Sequence, residues 1–126
     1  MAGIVEIEPL LSAMHPKLMS SEYVFCTVSG TLADYLTLHP LAMFQESEGL
    51  TLVLPKESAQ HAGLSFEGAY KKITLTVHSS LDAVGLTAAV AAKLANKGLS
   101  ANIIAAYYHD HIFVQTDKAD KALLAL

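Results

Sequence analysis

The clearest hydrophobic pattern lies in the second half of the chain. Over residues 70–77, apolar Ile73, Leu75 and Val77 alternate with Thr74 and Thr76, and a period of two with β-branched side chains predicts a half-buried strand. The alternation stops at His78-Ser79-Ser80. Residues 82–97 are mostly Ala, Val and Leu, broken by Asp82, Thr87, Lys93, Asn96 and Lys97, and their alanine richness and length predict a helix. Ser79, Ser80 and Asp82 are N-cap candidates, Lys93 and Lys97 suit the negative end of the helix dipole, and Gly98 predicts the stop. An apolar run at 101–107 predicts a strand, Tyr108-His109-Asp110 a turn, and 111–114 the returning strand. Residues 117–124 predict a last helix, capped by Thr116 or Asp117. Strand, helix, strand, strand, helix is the frame of the split βαβ, ferredoxin-like arrangement, short of a fourth strand because the chain ends.

The first half repeats part of this order. Residues 22–28 predict a strand ended by Ser29-Gly30, and 31–40 read as irregular, with no convincing helix. Residues 41–46 and 50–54 predict a strand pair around Ser47-Glu48-Gly49, and 56–62 a short helix closed by Gly63. The leading apolar segment, 4–14, is partly helical at best because of Pro9. Laying Glu48-Gly49-Leu50-Thr51-Leu52-Val53 over Asp110-His111-Ile112-Phe113-Val114-Gln115 gives an offset of 110 − 48 = 62, with an acidic residue at the turn in both copies. Phe66, Tyr70 and Ile73 keep supplying β-formers across 64–77, which predicts a strand long enough to serve both halves.

Composition narrows the class. The 126 residues are 52% hydrophobic and 16% charged, below the usual quarter, which excludes a disordered chain and fits one domain or two small ones. A net charge of −4 gives no electrostatic case for nucleic acid. No apolar stretch approaches the roughly 18 residues of a membrane span, and no basic leader is visible, so a cytoplasmic location is expected. The single cysteine, Cys26, excludes an internal disulfide framework; it lies in an apolar strand and reads as a small buried hydrophobe rather than a nucleophile. So few charges leave apolar surface to cover, which predicts an oligomer.

Three stretches carry a resemblance: His78-Ser79-Ser80-Leu81-Asp82-Ala83-Val84-Gly85-Leu86-Thr87, then Gly98-Leu99-Ser100-Ala101-Asn102, then Tyr107-Tyr108-His109-Asp110-His111-Ile112-Phe113-Val114. Together they resemble an ACT domain, a small ferredoxin-like regulatory module that binds amino acids. With Tyr23-Val24-Phe25-Cys26 and Glu48-Gly49-Leu50-Thr51-Leu52, the whole chain resembles a group of small stand-alone bacterial ACT proteins of unassigned function. The group is similar to the ACT repeats of animal arginine sensors, which also carry an acidic residue in the hairpin after strand two. The resemblance implies an α+β fold of ferredoxin-like (ACT) βαββαβ units in tandem, 1–66 and 67–126. The first would be incomplete, and antiparallel sheets would carry helices on one face.

Two stretches could carry chemistry. Ser79-Ser80 opening a helix presents backbone N–H groups at the positive end of the dipole, a place suited to a carboxylate, and Gly85 permits close approach. Ordinary capping and packing would use the same residues. The resemblance implies that this loop holds ligand through His78, Ser79, Ser80, Asp82, Val84, Gly85, Leu86 and Thr87. Asp110, beside Tyr108, could accept an ammonium group in a charge-assisted bond or be a solvated turn aspartate. His109 and His111 share a strand face, but an HxH pair alone is a weak metal signal, and histidines satisfied near an interface are the favoured reading. Glu46 and Glu48 flank a hairpin as a solvated rim, and no glycine-rich phosphate loop exists. The expectation is a non-enzymatic, homodimeric regulatory protein without metal or cofactor. It would bind an amino acid or analogue between ACT units, with Asp110 reaching from across the interface. The alternative is a ligand-free structural module that docks on a partner.

Overall fold

The computed structural model describes residues 15–76 and 85–126. The expectations for residues 4–14, for Val77 and for the helix start at 82–84 fall outside them. Among the described residues there are six strands: β1 (Pro16–Val28), β2 (Ala42–Gln45), β3 (Leu50–Pro55), β4 (Tyr70–Leu75), β5 (Asn102–Ala105) and β6 (Asp110–Gln115). Three α-helices accompany them among the described residues: α1 (Lys56–Ala62), α2 (Leu86–Ala95) and α3 (Ala119–Ala125). Contacts divide the chain into two units, Ser21–Tyr70 in one and Lys71–Leu126 with the segment up to Ser20 in the other.

In the Ser21–Tyr70 unit the strands lie in the order β2-β3-β1. The pairs are antiparallel, with Cys26 opposite Leu52 and Ala42 opposite Val53. Val24 and Cys26 of β1 and Leu50, Leu52 and Leu54 of β3 bury one face against Ala59 of α1 and the partly buried Leu32, Tyr35 and Leu38. Those last three belong to a 3₁₀ helix, Leu32–Leu38, in the stretch expected to be irregular. The signal for it is Thr31-x-x-Asp34: the Thr31 N–H donates to Asp34 Oδ2 at 3.0 Å and the Asp34 N–H to the Thr31 carbonyl at 3.0 Å. The Tyr35 hydroxyl adds a bond to the Ser29 carbonyl. The apolar spacing 32, 35, 38 is the three-residue repeat of a 3₁₀ helix, not the 3.6 of an α-helix.

The other unit has the order β1-β4-β6-β5. In chain order from β4 this is fourth, first, third, second, so the missing fourth strand comes from the start of β1, ahead of the unit in sequence. The Thr76 hydroxyl donates to the His15 carbonyl at 2.9 Å just before β1 begins. The strand serving both units is therefore the 13-residue β1. The expected long strand over 64–77 begins only at Tyr70, because Gly68, with φ of +77°, turns the backbone before it. Ile73, Leu75, Ile112 and Val114 form the buried sheet face, and Leu86, Val90 and Leu94 of α2 and Ala119 and Ala122 of the C-terminal segment cover it. The alternation around Thr74 set this face correctly.

Helix α2 stops as Gly98 predicts. The Leu99 N–H donates to the Leu94 carbonyl at 2.9 Å and the Gly98 N–H to the Ala95 carbonyl at 2.9 Å, with Gly98 at φ +74°. This closure needs a left-handed residue. The same two bonds close α1, from Leu64 to Ala59 and from Gly63 to Gln60.

The two hairpins superpose at a different offset from the one expected. Gln45 pairs with Leu50 and Ala105 with Asp110, so the offset is 110 − 50 = 60. Leu52-Val53-Leu54 then matches Ile112-Phe113-Val114, all buried. An error of two residues preserves which face each side chain takes, so alternation could not reveal it.

Leu94, fully buried beneath the sheet, should lose about 2–5 kcal/mol of stability as Leu94→Ala. Leu124→Ala, at a position 87% exposed, should stay within about 0.5 kcal/mol of the parent. Urea denaturation measures both, and equal midpoints would remove α2 from the core.

Candidate ligand site

The site grows from the end of the sheet where β4 finishes and β6 starts. Thr74 Oγ1 lies 3.0 Å from His111 Nδ1, which sets the last residues of β4 beside the first of β6. The last residues of β4 and the β5–β6 hairpin therefore sit at the same end of the sheet.

Asp110 is half-buried and is the first residue of β6, opposite Ala105. It was expected in the turn; the turn is residues 106–109, closed by the Ala106 N–H donating to the His109 carbonyl at 3.0 Å. Local preference misleads here, because Tyr107 and Tyr108 favour strands and aspartate favours turns. By the pleat, Asp110 shares a face with Ile112 and Val114, the face that α2 covers. It stands about 7 Å beyond Ile112 along the strand.

At the other side of this corner, Gly85 flanks the start of α2 with φ of +92°, a backbone that a side chain would strain. Its carbonyl accepts the first helical bond, from the Ala89 N–H at 2.9 Å. The N–H groups of Leu86 and Thr87 therefore have no acceptor within the helix. The Leu86 side chain is buried in the same cluster as Leu75 and Ile112, so it anchors the helix start and only its backbone is available to a ligand. Thr87 is exposed. Tyr108 is 64% exposed at the hairpin tip, its ring 5.0 Å from that of Tyr107. Of the remaining expected site residues, His78, Ser79, Ser80, Asp82 and Val84 lie outside the described residues.

The opposite face of the same strands carries different groups. His111 points there with the buried Thr74, so the pleat separates it from Asp110. Burial first, then the Lys72 and His109 charges, push the His111 imidazole below its ordinary pKa, and Asp110 opposes them. The His109 ring is 6.4 Å from that of His111, and its Nδ1 is buried without a hydrogen-bond partner among the described residues. Among those residues no three metal-ligating side chains come together. The sequence did not single out Thr74 as the partner of His111; its place on the polar side of the alternation was the only signal. Cys26 is buried and desolvation raises its thiol pKa, which disfavours the nucleophilic thiolate.

A sheet with helices on one face and ferredoxin-like strand order defines a class of small α+β modules, and comparison with known proteins gives it a family. Two family models described as ACT domain match residues 2–71 and 67–126, and the chain belongs to the ACT-domain family. A crystal structure of a Vibrio cholerae protein of unknown function, described as a possible transport protein, is 63% identical with a TM-score of 0.90, over 100% of this chain and 96% of that one. Two others share the fold at low identity. An Agrobacterium tumefaciens protein has a TM-score of 0.69 at 13% identity, over 87% of this chain and 84% of its own. The ligand-free regulatory subunit of aspartate kinase from Thermus thermophilus has 0.62 at 14%, over 87% and 92%. No curated protein matches the chain. No helix among the described residues is long and apolar enough to cross a membrane.

The depressed His111 pKa has a consequence for stability. The unfolded chain takes up a proton at the ordinary value of 6.5 while the native imidazole does so only at lower pH. The contribution is therefore complete above 6.5 and is lost as pH falls from 6.5 through the native value. NMR titration should place the His111 midpoint below 6.5, and the loss of stability between pH 7 and 5 should be smaller in His111→Gln.

Proposed function

We propose that the protein is a regulatory, non-catalytic ACT protein that binds a free amino acid or close analogue. The observation that carries this reading is the corner at the start of α2. Asp110 and the N–H groups of Leu86 and Thr87, which have no acceptor within the helix, belong to the same sheet end and the same sheet face, in a chain of the ACT family. A zwitterion needs an anion-binding group and an acidic partner at short range. The helix start suits the α-carboxylate, and Asp110 suits the ammonium or a basic side chain. His78, Ser79, Ser80, Asp82, Val84, Gly85 and Tyr108 complete the proposed set. Bound ligand would act by favouring one packing state over another, since it shifts only an equilibrium between states that it binds unequally.

A thermal-shift screen of the standard amino acids should find concentration-dependent stabilisation by at least one of them. With that amino acid in the calorimeter, Asp110→Asn should weaken binding by about 1.5–3 kcal/mol, roughly 10- to 150-fold. No stabilisation by any of them, or equal affinities, would reject the site.

A specific observation also favours association. Strand β2 is at the edge of its sheet, and Phe44 is 69%, Met43 40% and nearby Leu36 58% exposed. An edge strand reading Ala-Met-Phe-Gln carries neither charge nor proline to block pairing. We infer a two-fold dimer through this edge, the commonest closed form. Light scattering should give twice 13.4 kDa at micromolar concentration, and Phe44→Glu should return the mass to the monomer. A monomeric parent would overturn it.

A further inference from the structure

We propose that the Ser21–Tyr70 unit carries a separate binding site for a small organic cation, an alkylammonium group held by aromatic ring faces with Glu67 as its counter-charge. The site is a groove of about 450 Å³ lined by Phe25, Thr27, Ser65, Phe66, Glu67 and Tyr70. That volume falls in the range of about 300–1,000 Å³ usual for small-molecule sites. It shares no residue with the corner at Asp110, so it stands or falls independently of the function proposed above.

Each wall is held by something other than a ligand. Phe25 sits in β1 opposite Val53, on the face away from the core residues Val24 and Cys26. Tyr70 opens β4, and its ring meets that of Phe25 at 5.3 Å with the planes 77° apart. Phe66 packs against the core of the unit, as do Leu64 and Ala69 on either side of it, and the Leu64 N–H is tied to the Ala59 carbonyl at 3.0 Å. The loop is therefore pinned at both ends with one aromatic residue fixed at its middle, and little ordering cost remains for binding.

The chemistry of the lining selects the occupant. Aromatic faces carry the negative side of the ring quadrupole, and rings set nearly at right angles let a rounded ammonium group touch more than one of them. Among the described residues Glu67 is the one charged side chain in the lining, and it is acidic. An anion would meet a carboxylate and negative ring faces. A neutral apolar group would gain contact with the rings while crowding the carboxylate's water, with nothing to offset that loss. A cation satisfies both.

The test uses the full chain labelled for NMR and choline chloride as the probe, with the neutral isostere 3,3-dimethylbutan-1-ol as the comparison. Choline should shift the Phe25, Phe66 and Tyr70 ring resonances saturably, and the neutral alcohol should bind about 2- to 5-fold more weakly. Glu67 is exposed, so Glu67→Gln should leave the thermal midpoint unchanged and weaken choline binding by about 2- to 5-fold. Phe25→Leu, which keeps the bulk and removes the π-face, should weaken it similarly, with its fold checked by the same thermal midpoint. Shifts that do not saturate, shifts centred on residues 85–87 and 108–110, equal binding of the alcohol, or unchanged affinity in Glu67→Gln would each overturn the proposal.

Discussion

Three successive residues of β6, Ile112, Phe113 and Val114, are each no more than 1% exposed, and the geometry around the candidate site follows from that burial. Neighbours on a strand point to opposite faces, so a buried run of three means an interior strand covered on both sides. With β4 on one side of it and β5 on the other, the register cannot slip without moving Ile112 and Val114 out from under α2. The same register carries Asp110 to the sheet end on the helix face and sets His111 against Thr74 on the other. The position of the acidic group thus depends on apolar packing two residues away, not on the turn that precedes it.

The two hairpins show how one template is adapted to different chemistry. At the offset of 60, Leu50 occupies in one the position that Asp110 occupies in the other, and Thr51 the position of His111. Leu50 is buried and closes its end of the β3 face with hydrocarbon, whereas Asp110 leaves a carboxylate there. Thr51 instead donates its hydroxyl to Glu46 at 2.6 Å across the turn. An amino-acid site at Asp110 would therefore have no counterpart at Leu50, where the matching side chain is apolar and buried.

A regulatory reading also suits how the polar groups are spread. Asp110 lies at a strand end and Glu67 along an open groove, while the buried clusters of both units are hydrocarbon apart from Cys26 and Thr74 is buried on the other sheet face. Ligands at such margins can bias the packing of elements without disturbing the sheets. The part-buried His111–Thr74 pair lies on the other sheet face, and the lowered His111 pKa adds a response to acid there.

The periodicity of the chain was enough to determine the elements whose signal is local. Ile73 and Leu75 alternating with Thr74 set the core face of β4, the alanine-rich run with Gly98 set α2 and its stop, and the motifs around Ser79 and Tyr108 pointed to the ACT family. Three matters were decided only by tertiary contacts. The fourth strand of the second unit comes from β1, because strand pairing joins segments that are distant in sequence and hydrophobic alternation carries no address for the partner. Asp110 belongs to a strand, since cross-strand pairing with Ala105 outweighs the turn preference of an aspartate. The hairpins match at 60 and not 62, because a shift of two residues leaves every side chain on its own face. The cross-strand registers Gln45–Leu50 and Ala105–Asp110 distinguish the two offsets, and the buried runs Leu52-Val53-Leu54 and Ile112-Phe113-Val114 agree with them. The groove of Phe25, Phe66, Glu67 and Tyr70 was equally silent in the sequence: its walls come from a strand and a loop some forty residues apart, and no spacing rule connects them.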